Sequence, residues 1–224
     1  MTTNVGRDWS ELKKPTSGGA GTRKEIVRVK LDKESTKIRL VGNVLPRWIR
    51  WITTSEGKKQ PLEVISFNRE TEEFTNARDP FNELSEEAYN EKPQFAYVVN
   101  CIDRADGKLK LLDLKLTVFR QLIDLAKDPE YGSPSDPKNG YDITIIKEKT
   151  GPLPQNVKYA VRPGRNVTPL TDEEKSLELY ELDAIFKRPT YEEQKEYLIK
   201  NTNYFSFEDA DDLSPNTESM KDID

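Results

Sequence analysis

Apolar and polar residues alternate with a period of two along much of the chain, which is typical of strands with one buried face. The clearest example lies between Glu25 and Asp32, where apolar residues alternate with Arg28 and Lys30. Gly42 and Pro46 interrupt a longer apolar stretch, so we expect a bend there. The predicted strands cover residues 25–32, 37–54 (one bent strand or two short ones), 61–67, 95–104, 108–115, 141–149 and 156–163.

The strongest turn signal lies between the predicted strands 95–104 and 108–115. Asp106 and Gly107 form an Asp-Gly pair, which favours the tight turn of a hairpin. Residues 69–93, in contrast, are acidic and lack strand-like alternation. We expect them to form an excursion with one or two short helical turns.

The period changes to that of a helix in three stretches. In the first, apolar side chains fall on one helical stripe, and Thr117 is placed to cap it. The second begins at Thr171 and Glu174, which form a Thr-x-x-Glu capping box. The predicted helices cover residues 117–131, 171–186 and 191–201.

This order of elements favours a mainly β fold with added helices, because the strand-helix-strand alternation of a parallel sheet does not recur. An OB-type antiparallel barrel of five strands, with one helix inserted before the fourth strand, fits the order. The predicted organisation is a flexible N-terminal arm over residues 1–23, an OB-like domain over 24–168, C-terminal helices over 169–203 and an acidic, disordered tail over 204–224.

Charge is divided unevenly along the chain. Residues 169–224 hold 16 acidic and 6 basic side chains, whereas residues 23–59 hold 11 basic and 4 acidic ones. The overall net charge of -5 therefore conceals a basic body joined to an acidic end. Such a division predicts a polyanionic ligand together with an internal competitor for its site.

The composition excludes several kinds of chemistry. The chain has no histidine and one cysteine, Cys101, so His-based catalysis and zinc sites made of His or Cys are not available. Cys101 lies in an apolar run and is expected to be a buried, unreactive thiol. No apolar run is long enough to span a membrane. We therefore expect a soluble cytoplasmic protein without a cofactor and without a membrane partner.

The stretch from Phe95 to Pro163 resembles the single-stranded-DNA-binding (helix-destabilising) proteins of T-even-type and related tailed phages. The resemblance spans 69 of the 224 residues. It is carried by AYVVNCIDRADGKLKLLDL, then VFRQLIDLAKDPEYGSPSDPKNGYDITIIK, then KYAVRP. The N-terminal arm and the acidic tail are similar to that family's architecture as well.

The resemblance implies a protein that covers single-stranded DNA without sequence preference, without acting as an enzyme, in phage replication, recombination and repair. It further implies that the acidic tail is autoinhibitory and recruits phage replication and recombination proteins. Family members with a zinc ribbon hold the metal with Cys and His, so this chain would have to lack that metal. A basic N-terminal motif mediates self-association along DNA in the family, and residues 13–17 are loosely similar to it.

A protein of this kind needs cations along the path of the backbone and aromatic rings on which bases stack. The five residues from Arg47 to Trp51 supply both. In a strand, Trp48 shares one face with Arg50, while Arg47 and Trp51 share the other. Either face could be the outward one. We expect one tryptophan to lie in the core and the other to be accessible, with two accessible tryptophans as the alternative.

Further candidate cations come from neighbouring predicted strands. Arg28 and Lys30 share a face, and so do Lys37 and Arg39. An ordinary solvated basic face is the alternative interpretation. Tyr159 could stack on a base or belong to the core. The remaining candidates have the same charge and lie on loops, the hairpin and the last strand: Lys58, Lys59, Arg104, Lys110, Lys158, Arg162 and Arg165.

Two other functional classes remain open from the sequence. Asp103, Asp106 and Asp113 lie near one hairpin and could hold magnesium for a nuclease, although the turn already explains Asp106. A protein-interaction or transcription-regulating module could use the basic face to dock on an acidic partner.

Overall fold

The computed structural model describes residues 25–153 and 156–205. The predicted N-terminal arm and the tail beyond residue 205 lie outside the described residues. The strands are β1 (Ser35–Leu45), β2 (Trp48–Thr53), β3 (Lys59–Glu63), β4 (Phe67–Asn68), β5 (Glu73–Phe74), β6 (Gln94–Phe95), β7 (Val98–Asp103), β8 (Lys108–Asp113), β9 (Asp142–Lys149) and β10 (Val157–Pro163). The helices are α1 (Leu116–Lys127), α2 (Asp172–Lys175), α3 (Leu182–Ile185) and α4 (Tyr191–Asn201), with a 3₁₀ turn at Pro80–Glu83.

The main sheet has five antiparallel strands in the order β10-β9-β1-β7-β8. A mainly β, antiparallel fold and a helix inserted between β8 and β9 are therefore confirmed. Within residues 25–153 and 156–205, β8 and β10 remain unpaired with each other, so the sheet does not close into a barrel. The OB-type barrel stays a prediction.

Gly42 bends β1, as the sequence predicts. It has a φ of 69°, in a region that disfavours residues with a side chain. The pairing of β1 with β7 shifts register between Val41 and Val44, which is the mark of a bulge. After this bulge the chain turns at Pro46 and continues as β2, which belongs to a second sheet with the order β3-β2-β6.

The main sheet is buried on both faces. Ile38, Leu40 and Ile143 belong to the principal core, against which α1 also packs. The opposite face is covered by the C-terminal segment, because Leu170 packs against Val41 and Tyr180 packs against Val98. Residues that follow the predicted OB-like domain in sequence therefore form part of the same folded body.

That packing explains why the predicted helix over residues 171–186 is wrong. The capping box at Thr171 and Glu174 is present, but α2 ends at Lys175. Tyr180 instead exchanges two hydrogen bonds with the side-chain amide of Asn100, at 3.0 and 3.1 Å, as a neighbouring strand would. Because the chain is extended there, its apolar side chains pack across the sheet. The rest of the predicted helix, up to residue 186, contains only the single turn of α3.

Two smaller predictions also fail. Residues 25–32 form no regular strand: they run parallel to β8 with one isolated bridge between Arg28 and Leu111. The cap of α1 is Lys115 without a side-chain hydrogen bond, rather than Thr117. What anchors α1 is Gln121, whose amide accepts from Val161 N–H at 2.9 Å and donates to the Tyr159 carbonyl at 3.0 Å. These bonds satisfy backbone groups on the exposed edge of β10.

Candidate nucleic-acid interface

Two open grooves on the surface contain half of the predicted site residues. The first, here called the basic groove, has a volume of about 470 Å³. The second, the aromatic groove, has a volume of about 870 Å³. Arg28 lines both. The basic groove is defined by Arg28, Lys30, Lys33, Lys37, Arg104 and Lys110, and the aromatic groove by Arg28, Arg47, Trp48, Trp51, Phe95, Lys115 and Phe186.

The basic groove lies where the start of β1 meets the β7–β8 hairpin. The Asp106–Gly107 turn is confirmed and places Lys110 beside Asp103 and Asp106, at 2.7 and 2.8 Å. The hydrogen bonds that Lys110 donates to Asp103 and Asp106 raise the pKa of its ammonium group. The ammonium group thus stays charged, although part of its charge is already neutralised.

Two more cations of the basic groove pair with the same carboxylate, that of Asp142. Lys37 lies 3.2 Å from Asp142, and Arg104 donates to the same carboxylate at 2.8 Å and also to Glu174. Arg104 is largely buried by these contacts, whereas Lys37 remains exposed. Lys30 and Lys33 are exposed and form no ion pair with any described residue. Lys30, Lys33 and Lys37 are therefore the cations that a phosphate can reach most directly.

The aromatic groove contains both tryptophans of β2, in different roles. Trp48 is half-buried, with its ring centroid 5.2 Å from Phe74 and 6.1 Å from Phe67 and from Phe95. Trp51 is 36% exposed, and its indole N–H donates to Gln94 at 3.2 Å. Trp48 therefore packs against the principal core and Trp51 is the more exposed of the two, although both line the groove.

One wall of the aromatic groove comes from the C-terminal segment. The Arg47 guanidinium lies 4.0 Å from the centre of the Phe186 ring, and that of Arg28 lies 5.5 Å from it. Arg69 holds this wall in place because it donates to the Phe186 carbonyl at 2.7 Å while pairing with Glu63. Burial lowers the pKa of Arg47, and Glu63, 3.3 Å away, opposes that effect.

Arg39 is not on the surface, so the prediction that it shares a solvated face with Lys37 is wrong. Its guanidinium is fully buried. It donates to four backbone carbonyls, those of Leu40, Pro134, Asp136 and Thr168. The loop after α1 folds over this part of the sheet, so Arg39 ties that loop to β1 and is left out of the proposed interface.

The other predicted cations near β2 do not line the aromatic groove. Arg50 faces away from it, 5.3 Å from the Phe81 ring, and donates to the Glu91 carbonyl at 3.1 Å. Lys58 is exposed and pairs with Glu56 at 2.7 Å. Lys59 is exposed beside Trp51, in a small cleft that both residues line. Of these three, Lys59 is best placed to extend the aromatic groove.

Of the candidates on and just after β10, one is packed against the core and three are exposed. Tyr159 is packed against the principal core, which favours the structural interpretation of this ring. Arg162 is exposed and lies opposite Thr144, which in turn lies opposite Lys37. Neighbouring strands lie about 4.8 Å apart, so the Cα atoms of Arg162 and Lys37 are roughly 10 Å apart, and the two side chains are on the same face of the sheet. Lys158 and Arg165 are exposed nearby in the sequence.

Sequence reasoning missed four members of the grooves: Lys33, Phe95, Lys115 and Phe186. Lys33 follows the alternating stretch and belongs to the same run of positive charge as Lys30, so the charge count could have found it. Lys115 is the last residue of a predicted strand, and nothing in its sequence position indicates a place in a groove. Phe186 lies more than 130 residues from Trp51 in sequence, and no local signal connects the two.

The acidic residues considered for a nuclease have other partners. Asp103 and Asp106 bind Lys110, and Asp113 binds Arg28. In the part of the chain that the structure describes, no group of three His, Cys, Asp or Glu side chains is arranged to hold a metal ion. Burial raises the pKa of the Cys101 thiol to about 12, which agrees with an unreactive cysteine. None of the described helices is both long and apolar enough to span a membrane.

The fold and the grooves define a β-protein that presents cations and aromatic rings along one surface path. No family model matches the chain. The chain is similar to a protein of Escherichia phage T5 that bears the name "Probable ssDNA-binding protein". The two are 29% identical over 226 residues, covering 87% of this chain and 86% of the phage T5 protein.

Proposed function

We propose that this protein binds single-stranded DNA, without sequence preference and without changing it chemically. One observation carries the proposal: the basic groove and the aromatic groove meet at Arg28. Phosphates can follow the cations of one groove while bases stack in the other, and stacking does not depend on base identity. The name of the similar phage T5 protein supports the same function.

A titration with oligo-dT tests the proposal directly. Trp51 is exposed in the aromatic groove, so stacking of a base should quench its fluorescence. Quenching that saturates with oligo-dT, and equally with a mixed-sequence oligonucleotide, is the expected result. A protein whose basic face docks on an acidic protein partner instead would show no saturable response to either oligonucleotide, and that result would overturn the proposal.

The salt dependence of binding should report the phosphates that the basic groove contacts. The logarithm of the affinity is expected to fall with the logarithm of the salt concentration at about -0.7 per neutralised phosphate. Lys30→Ala should weaken binding and reduce the magnitude of that slope by about 0.7, the amount for one phosphate contact, because Lys30 is exposed in the groove. Fluorescence anisotropy of a labelled oligonucleotide at several salt concentrations measures both quantities.

Lys175→Ala is the matched control for Lys30→Ala. Lys175 is an exposed cation that pairs with Asp172 at 3.0 Å and lines neither groove. The slope should be unchanged in this variant. If the two variants behaved alike, the basic groove would not be the phosphate path.

The wider role that we propose is coverage of single-stranded DNA during phage replication, recombination and repair, in the host cytoplasm. A five-stranded OB-type barrel is the fold proposed for this role, with its seam open between β8 and β10, which do not pair with each other in the described residues. Recruitment of replication and recombination proteins by the acidic tail, and self-association along DNA, belong to the same proposal.

The contacts of Tyr204 support a tail that competes with DNA. Tyr204 accepts a hydrogen bond from Thr53 N–H at 2.8 Å and lines the same cleft as Trp51 and Lys59. Tyr204 thus lies beside Trp51 of the aromatic groove, and residues 206–224, which follow it in sequence, carry seven acidic residues against one lysine. At about 3.3 Å per residue, a segment of that length can reach along both grooves.

Ending the chain at Phe205 should raise the affinity for single-stranded DNA, because a tethered acidic segment competes at a high effective concentration. The gain should be largest at low salt, where charge interactions are least screened. Tyr204 is retained, so its contacts with Tyr89 and Thr53 survive the truncation. Anisotropy titrations of both chains across a salt series provide the measurement; equal affinities throughout would remove the competition argument and leave the grooves in place.

A further inference from the structure

Asp113 is the acidic residue at the point where the two grooves meet. Asp113 is the last residue of β8, two residues after Leu111. Because Leu111 forms a bridge with Arg28, the side chains of Asp113 and Arg28 lie next to each other. One guanidinium nitrogen of Arg28 donates to both oxygens of the Asp113 carboxylate. Its distance to Oδ2 is 2.6 Å. The cation that both grooves share is therefore already occupied by a carboxylate that lines the aromatic groove.

Among the described ion pairs of the basic groove, this is the one in which both partners are well exposed. Asp113 is 51% exposed and Arg28 is 40% exposed. The carboxylates of Asp103 and Asp142, which bind other groove cations, are only 13% and 10% exposed. Enclosed pairs of that kind hold the protein together, whereas an exposed pair contributes little to stability and exchanges partners readily.

We propose that Asp113 is a built-in competitor of the DNA phosphate for Arg28, and this inference rests on the proposed function. A carboxylate and a phosphate accept the same hydrogen bonds from a guanidinium group. A strand that passes from one groove to the other must displace Asp113, and the displaced charge then remains beside the bound strand. Asp113 thereby lowers the affinity and favours release of the DNA.

Asp113→Asn should bind oligo-dT more tightly than the wild-type chain, by about three- to tenfold at low salt. The amide has nearly the same shape but carries no charge, and the exposed pair contributes little to folding, so the thermal melting temperature should be unchanged. Asp172→Asn is the control: it removes the same charge from an exposed pair with Lys175 outside both grooves. Its gain should stay below about twofold.

A double variant shows whether Asp113 acts through Arg28. In the Arg28→Gln background, Asp113→Asn should give no more than the small gain of the control, because the contested cation is gone. Labelled oligo-dT, the full-length chain and anisotropy at low salt are used for all variants. An Asp113→Asn variant that binds as the wild type does, or more weakly, overturns the inference, as does an equal gain with and without Arg28. Failure of the wild-type chain to bind oligo-dT would instead overturn the proposed function itself.

Discussion

Trp51→Ala is expected to weaken binding of single-stranded DNA by roughly 1–3 kcal/mol, which corresponds to a loss of about five- to 150-fold in affinity. The indole is the accessible tryptophan ring of the aromatic groove and lies beside the exposed Lys59. Its only described hydrogen bond goes to Gln94. The fold should therefore tolerate the substitution, and the thermal melting temperature should change little.

Trp48→Ala provides the contrast. Because the Trp48 ring packs against Phe67, Phe74 and Phe95, its removal should leave a cavity and lower the stability by about 3 kcal/mol. Anisotropy with a labelled oligonucleotide measures the affinity of both variants, and a thermal melt measures their stability. Full affinity in a folded Trp51→Ala variant would remove this residue from the DNA path.

Arg39→Met is expected to destabilise the protein by about 3 kcal/mol or more, since the buried carbonyls that Arg39 serves would lose their donors. The guanidinium bonds reach Pro134 and Asp136 in the loop after α1 and Thr168 beyond β10, so two segments would detach from β1. For a chain of this size, the melting temperature should fall by roughly 6–12 °C. The folded fraction should bind DNA as the wild type does, because this guanidinium is inaccessible.

Lys30→Met is the matched variant, with the same loss of charge from an exposed position. It should leave the melting temperature unchanged and weaken DNA binding, which is the reverse of the effect at Arg39. Thermal melts and anisotropy titrations of both variants separate the two roles. A stable Arg39→Met variant with reduced affinity would return Arg39 to the interface.

Local patterns determined much of the fold. Period-two alternation located the strands from β1 to β3 and from β7 to β10, and the Asp106–Gly107 pair located the hairpin turn. The capping box at Thr171 is formed even though the helix beyond it stops after one turn. These features depend on residues close together in sequence, whose backbone preferences and hydrogen bonds act wherever the chain is placed.

The candidate interface was predictable from the sequence in part. The Arg-Trp spacing in residues 47–51 identified the segment that contributes Trp48 and Trp51, and the run of positive charge identified the basic groove. Which of these side chains reach solvent depends on what covers the strands. Arg39 and Lys37 have the same periodicity and similar charge, yet one is buried under a loop from beyond α1 and the other is exposed.

Only the tertiary structure decided the parts of the site that come from distant segments. Asn100 forms hydrogen bonds with the backbone of Tyr180 and holds the chain around it in an extended conformation. Because the chain is extended there, Phe186 contacts the guanidinium groups of Arg47 and Arg28. Pairing between segments 80 or more residues apart depends on the shape and unsatisfied polar groups of the folded sheet. The sequence alone thus determined which residues could bind a polyanion, and long-range packing determined which of them face one another across a groove.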